Sequence, residues 1–245
     1  MVVHMGRSFF FDAVRQELFK GEMTHPQVVG ITAILDAWEK RFAHADRRWL
    51  AYILATAYHE TAYTMQPVRE TLAESDTRAV EILETAFAAG RLSWVKTPYW
   101  RPDEDGCCWL GRGLVQLTHK RNYEAMSVLT GIDLVAAPDR AMEMDTAVTI
   151  LIEGMLQGSF TGHKLADHLS ETNEDWVNAR RIVNGTDRAE KLAAYAVVFD
   201  AALRPVTGVW HARAVEAMGL ACYRPADRWS AASPIGRAKV ALASR

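Results

Sequence analysis

Long hydrophobic runs are missing from this sequence. Its 245 residues contain no run of about 18 apolar side chains, the length that a membrane-spanning helix needs. The N-terminal stretch also lacks the basic start and the long apolar segment of a secretory leader. We therefore expect synthesis in the cytoplasm without a signal peptide. Hydrophobic residues at 49% and charged residues at 24% are typical of an ordinary globular protein.

Cysteines and cofactor motifs are also scarce. Three cysteines are too few for a disulfide framework, and two of them, Cys107 and Cys108, are adjacent, which favours a reducing compartment of synthesis. The pair His59-Glu60 is not the start of a zinc-protease HExxH motif, because position 63 is tyrosine. There is no Walker A loop, no dinucleotide-binding glycine motif and no CxxC pair. The sequence therefore predicts no metal and no cofactor.

Charge is distributed unevenly along the chain. Residues 204–245 carry seven Lys/Arg and two acidic residues, a net charge of +5, which leaves −7 for residues 1–203 given the total of −2. A basic tail of this kind binds anionic surfaces through long-range attraction. The alternative is a solvated tail without a partner. We expect no nucleic-acid partner. If the tail has a partner, we expect it to be an anionic cell envelope.

Helical periodicity dominates the sequence, and strand signals are few and short, so the predicted fold class is mainly α. Thr24 and Gln27 have the capping-box spacing, with Pro26 between them, and Asp46 precedes another helical stretch. No repeat of fixed period occurs. Further helices are predicted over 76–89, 174–182 and 187–203, from Thr118 to a stop at Gly131, and from Asp145 to a stop at Gly158. Residues 91–110 are predicted to form a loop that carries aromatic residues.

Glu60 ends an apolar stripe on one predicted helix. It shares a face with Trp49, Ile53 and Thr56 at spacings of i, i+4, i+7 and i+11. Burial and a helix C-terminus both disfavour a charged carboxylate. A carboxyl that stays protonated near neutral pH is what a general acid requires. The alternative is a structural carboxylate that turns to solvent or pairs with Arg69.

Glu70 lies ten residues after Glu60, beyond a predicted turn at Gln66-Pro67. Two carboxylates on either side of a short loop match the acid–base pair that cleaves glycosidic bonds.

The glycine-flanked segment GRGLVQLT at 111–118 is predicted to be extended. Gln116 and Thr118 would then share one face of it, with Thr118 as a helix N-cap in the alternative interpretation.

Three segments together resemble the chitinase-like glycoside hydrolases of family 19, in particular the bacteriophage and prophage endolysins of that family. They are AYHETAYTMQPVRE at 57–70, GRGLVQLTHKRNY at 111–123 and RIVNGTDRAEKLAAY at 181–195. The resemblance covers about residues 8–203. It implies a lysozyme-like α-helical fold with two lobes, a central cleft and a small β-hairpin. The segment 91–110 departs from the family pattern, and 205–245 falls outside it.

The resemblance also implies roles for single residues. It makes Glu60 the general acid, Glu70 the base and Thr118 the residue that helps to hold the attacking water. The loop between the two glutamates is about one residue longer than in some endolysins. Positions along the substrate cleft are implied for His59, Gln116, Asn122, Tyr123 and Asn184.

The function expected from this resemblance is hydrolysis of the β-1,4 bonds of peptidoglycan strands by a monomeric inverting enzyme. Its catalytic domain would span 1–204, and 205–245 would form a basic extension. The enzyme would reach the cell wall through a holin or a secretion system. Alternatives are a chitinase, a non-catalytic sugar-binding protein on the same fold, and a lytic transglycosylase, which needs one acid and no base.

Overall fold

A computed structural model describes residues 6–204 of the chain. Within these residues the fold is mainly helical, with one short two-stranded antiparallel hairpin, as the sequence predicted. The basic tail at 205–245 lies outside the described residues. The α-helices are α1 (Arg7–Glu17), α2 (His25–Phe42), α3 (Arg47–Glu60), α4 (Asp76–Ala88), α5 (Lys120–Thr130), α6 (Met144–Gln157), α7 (Leu165–His168) and α8 (Ala189–Ala202).

Short elements connect these helices. Strands β1 (Leu169–Ser170) and β2 (Asn173–Glu174) pair in register, Leu169 with Glu174 and Ser170 with Asn173. Three single-turn 3₁₀ helices are formed by Glu70–Leu72, Pro138–Met142 and Asn178–Ile182.

Several helix boundaries follow from local chemistry. Thr24 and Gln27 form the predicted capping box, and the Asp46 side chain accepts a hydrogen bond from the backbone N–H of Arg48 at 2.9 Å. Gly131 and Gly158 end α5 and α6 in the left-handed conformation, as predicted.

Other boundary predictions are wrong. Helix α6 starts at Met144, so Asp145 lies in its first turn instead of capping it. The helix predicted over 174–182 is reduced to Asn178–Ile182, because Glu174 pairs in the hairpin. Helix α5 starts at Lys120, and its N-cap is His119 rather than Thr118.

Helix α3 forms the centre of the main hydrophobic core. Every residue from Leu50 to Tyr58 is buried, and α3 packs along α8. Phe10 of α1 stacks on Phe199 of α8 with ring centroids 6.4 Å apart. Burial of this continuous apolar surface is the main stabilising contribution. It fixes the C-terminal end of α3, where Glu60 lies.

A second, smaller hydrophobic cluster lies between α4 and residues 91–110, which we call the insertion segment. Leu83 of α4 packs there with Trp100 and Leu110, all of them almost completely buried. The insertion segment is therefore packed against the fold through its aromatic side chains.

No helix within residues 6–204 is long and apolar enough to cross a membrane.

Candidate active site

Glu60 occupies the last position of α3, and its carboxylate is mostly buried. Its Oε1 accepts a hydrogen bond of 2.7 Å from Nη1 of Arg180, and 11% of the Glu60 side chain is exposed. The alternative pairing with Arg69 is wrong, since Arg69 bonds to Asp76 and Asp139 instead. Glu60 is thus a buried, ion-paired carboxylate rather than a solvated one.

Arg180 is a site residue that sequence reasoning missed. It lies in the 3₁₀ helix Asn178–Ile182, is 1% exposed, and donates from Nε to the carbonyl of Asp187 at 3.1 Å. An adjacent guanidinium stabilises the charged form of a carboxyl. The guanidinium of Arg180 therefore acts against the two effects, burial and the helix C-terminus, from which the sequence predicted an uncharged Glu60. The doublet Arg180-Arg181 was visible in the sequence, but only the fold shows which of the two arginines is buried.

His59, next to Glu60, is half-buried. Burial lowers the pKa of His59 to about 4, and the adjacent Glu60 only partly offsets this. Its Nδ1 is buried without a hydrogen-bond partner in the part of the chain that the structure describes. His59 is therefore neutral at pH 7, and it is more deeply enclosed than a freely accessible sugar-binding side chain.

The loop from Thr61 to Arg69 is held against α2. Gln27 donates to the carbonyl of Tyr63 at 3.0 Å, and Gln66 donates to the carbonyl of Pro26 at 2.6 Å. A Cβ added at Gly30 would lie 1.7 Å from the carbonyl oxygen of Met65. Only glycine permits this approach, so α2 positions the loop that joins Glu60 to Glu70.

Glu70 is buried to 1% exposure, which makes it less exposed than Glu60. A base that activates water is expected to be the more exposed of the two glutamates, and the structure shows the reverse. Its Oε1 accepts from the hydroxyl of Tyr99 at 2.8 Å, and its Oε2 accepts from the backbone N–H of Gly111 at 2.7 Å. The next residue, Thr71, has φ of 64°, which is uncommon for a β-branched residue. The Glu70 carboxylate is held in a defined orientation beside a strained backbone.

The segment at 111–118 pairs with the chain just before Glu70. Val68 and Gly113 exchange two backbone hydrogen bonds of 3.2 and 3.1 Å, and the N–H of Glu70 donates to the carbonyl of Gly111 at 2.6 Å. The segment is a tight turn closed by one bridge between Arg112 and Leu117 instead of the predicted extended run. Positive φ values at Gly113 and Gln116 make the turn possible.

Within this turn, hydrogen bonds at Gln116 and Thr118 involve backbone carbonyl groups. Nε2 of Gln116 donates to the carbonyl of Val68 at 2.8 Å, which fixes the turn to the Glu70 loop. Thr118 is 1% exposed, and its carbonyl accepts from Nδ2 of Asn122 at 2.7 Å. The N-cap interpretation of Thr118 is wrong because His119 takes that position.

Tyr123 and Asn184, for which the resemblance implies positions along the substrate cleft, are both buried. Tyr123 is fully buried; its hydroxyl accepts from Arg112 and donates to the carbonyl of Leu110, both at 2.9 Å. Asn184 is 6% exposed, and its Oδ1 accepts from the N–H of Gly185 at 2.8 Å. Both residues support the surrounding backbone.

The three segments that carry the sequence resemblance therefore contact one another. Tyr195 of the third segment packs against Tyr58 of the first with ring centroids 4.9 Å apart, and Gly111 of the second bonds to Glu70 of the first. No protein-family model and no curated protein matches the chain. The site is therefore interpreted from its own geometry.

A cavity of about 650 Å³ lies between α4 and the insertion segment, and neither Glu60 nor Glu70 lines it. Its lining carboxylates include Asp76, Glu81 and Glu84, and each of these pairs with an arginine. The cavity therefore offers little unpaired charge to a ligand.

No group of three or more His, Cys, Asp or Glu side chains within residues 6–204 could hold a metal ion.

Proposed function

We propose that this chain is a peptidoglycan hydrolase of the family 19 endolysin branch, which cleaves β-1,4 glycosidic bonds with inversion. The observation that carries the proposal is that each of the two low-exposure glutamates is held by a distant segment: Arg180 of the 3₁₀ helix at 178–182 bonds to Glu60, and Gly111 of the turn 111–118 bonds to Glu70. Paired carboxylates held by fixed donors are the machinery that glycoside hydrolysis needs.

In this proposal Glu60 protonates the leaving oxygen, and Glu70 activates a water molecule. The Glu60 carboxyl is held by Arg180, which fixes the position of the proposed acid. Glu70 receives hydrogen bonds on both oxygens, which fix the orientation of the proposed base. Thr118, whose backbone carbonyl accepts from Asn122, would help to hold the attacking water.

Peptidoglycan is proposed over chitin because the segment joining Glu60 to Glu70 is short. The acid–base pair itself does not discriminate between these β-1,4 polymers. A short loop leaves space for the lactyl ether and peptide stem of peptidoglycan. We further propose that the protein is made in the cytoplasm, reaches the wall through a holin or a secretion system, and uses its basic tail at the anionic envelope.

One observation favours a second candidate, a lytic transglycosylase. Glu70 is only 1% exposed, and a lytic transglycosylase needs an acid but no base with access to water. The experiment that separates the two is mass spectrometry of the products released from purified Gram-negative sacculi. Hydrolysis gives reducing ends, and transglycosylation gives 1,6-anhydro ends. Faster turnover of chitin hexamers than of sacculi would instead favour a chitinase.

A further inference from the structure

The insertion segment is fixed to the fold on two sides. Nε1 of Trp100 donates to Oε1 of Glu84 at 2.6 Å, and Arg101 pairs with the same glutamate. On the other side, the backbone N–H of His119 donates to the carbonyl of Trp109 at 2.9 Å. These contacts place Tyr99 at a defined position between α4 and the turn 111–118.

Tyr99 reaches from the insertion segment to Glu70. Its hydroxyl donates to Oε1 of Glu70 at 2.8 Å. Its ring is packed between His119, with centroids 4.3 Å apart, and Trp100, with centroids 5.1 Å apart. Burial first, and then the charge of Glu70, raise the pKa of Tyr99 above its ordinary value. The phenol therefore remains a hydrogen-bond donor across the working range of pH.

We propose that Tyr99, which lies in the insertion segment, is a positioning residue for Glu70. The inference rests on the proposed function, because it takes Glu70 as the base. Tyr99 holds one carboxylate oxygen while the N–H of Gly111 holds the other, and together they fix the carboxylate plane. Hydrogen bonds to a charged acceptor are the stronger ones, and small misplacements of a reacting group are costly.

The test is Tyr99→Phe, which removes the hydroxyl and keeps the ring. We expect kcat on purified sacculi to fall about tenfold or more, since one bond to a charged group is lost. KM should stay within about twofold, because binding of the glycan is not altered. The matched control is Lys96→Gln, which changes an exposed side chain of the same segment and should leave kcat and KM unchanged.

Failure of this inference is distinguishable from failure of the proposed function. A Glu60→Gln variant without activity, together with a Tyr99→Phe variant within twofold of the wild-type kcat, overturns the positioning role alone. A fully active Glu60→Gln variant overturns the function itself. If Tyr99→Phe does not fold, the pair Tyr99→Gln and Tyr99→Leu replaces it. Equal kcat values for this pair at equal melting temperature contradict the role, because only glutamine retains a donor.

Discussion

The carboxylate of Glu60 and the guanidinium of Arg180 form a buried ion pair, with 2.7 Å between Oε1 and Nη1, across 120 residues of sequence. The pair joins the end of α3 to the 3₁₀ helix before α8. The local sequence around Glu60 does not reveal this partner. Under the proposed function, catalysis and stability share this contact.

Replacing Glu60 by glutamine should reduce lysis of sacculi by about 10²–10⁴-fold, since glutamine cannot donate the proton of a general acid. The fold should persist, because the amide oxygen can still accept from Arg180. Turbidity loss of sacculi, together with circular dichroism, measures both effects. The matched control is Glu74→Gln, an exposed glutamate nearby, which should be silent.

Replacing Arg180 by methionine should lower the free energy of unfolding by about 3 kcal/mol, because it leaves the charge of Glu60 without its partner. We take the lower end of the usual range, since 11% of the Glu60 side chain still reaches water. Urea unfolding measures the loss. Adding Glu60→Gln to this variant should recover part of it, and strictly additive losses would show that the two side chains are not coupled.

Stability should fall on acidification between about pH 6.5 and pH 4 because of His59. Its pKa of about 4 in the folded protein lies below the unfolded value of about 6.5, so the unfolded state binds more protons in this window. The full effect approaches about 3 kcal/mol below pH 4. Urea unfolding of His59→Leu should show a smaller loss over this window, whereas losses from paired carboxylates such as Asp46 and Asp76 come mainly below it. An unchanged pH dependence would remove His59 as the cause.

Gly30→Ala should destabilise the protein by about 1–3 kcal/mol, since the added methyl group overlaps the carbonyl of Met65. It should also lower activity, because it displaces the loop that carries Glu70. Thermal unfolding and sacculus lysis report the two effects. Gly185→Ala is the control, as a Cβ there meets nothing within 4 Å. A larger effect of the control than of Gly30→Ala would contradict this account of the loop.

Local chemistry made much of the fold predictable. The capping box at Thr24 and the glycine stops at Gly131 and Gly158 rest on backbone hydrogen bonds that short sequence patterns specify. The boundary at Thr118 was missed because His119 adopts φ of 67°, a conformation that tertiary contacts impose.

The candidate site was predictable only in part. The positions of Glu60 and Glu70 follow from motif and spacing. Their partners Arg180, Tyr99 and Gly111 come from distant segments, and no local periodicity encodes such contacts. Burial of Glu70 was missed for the same reason, since it depends on the insertion segment folding over it.

The most direct test of the central claim is product analysis of purified Gram-negative sacculi digested by the wild-type chain and by Glu60→Gln. We predict disaccharide-containing products with reducing ends from the wild type, and none from the variant. Products with 1,6-anhydro ends, intact sacculi after wild-type digestion, or equal release by Glu60→Gln would contradict hydrolysis by a Glu60–Glu70 pair.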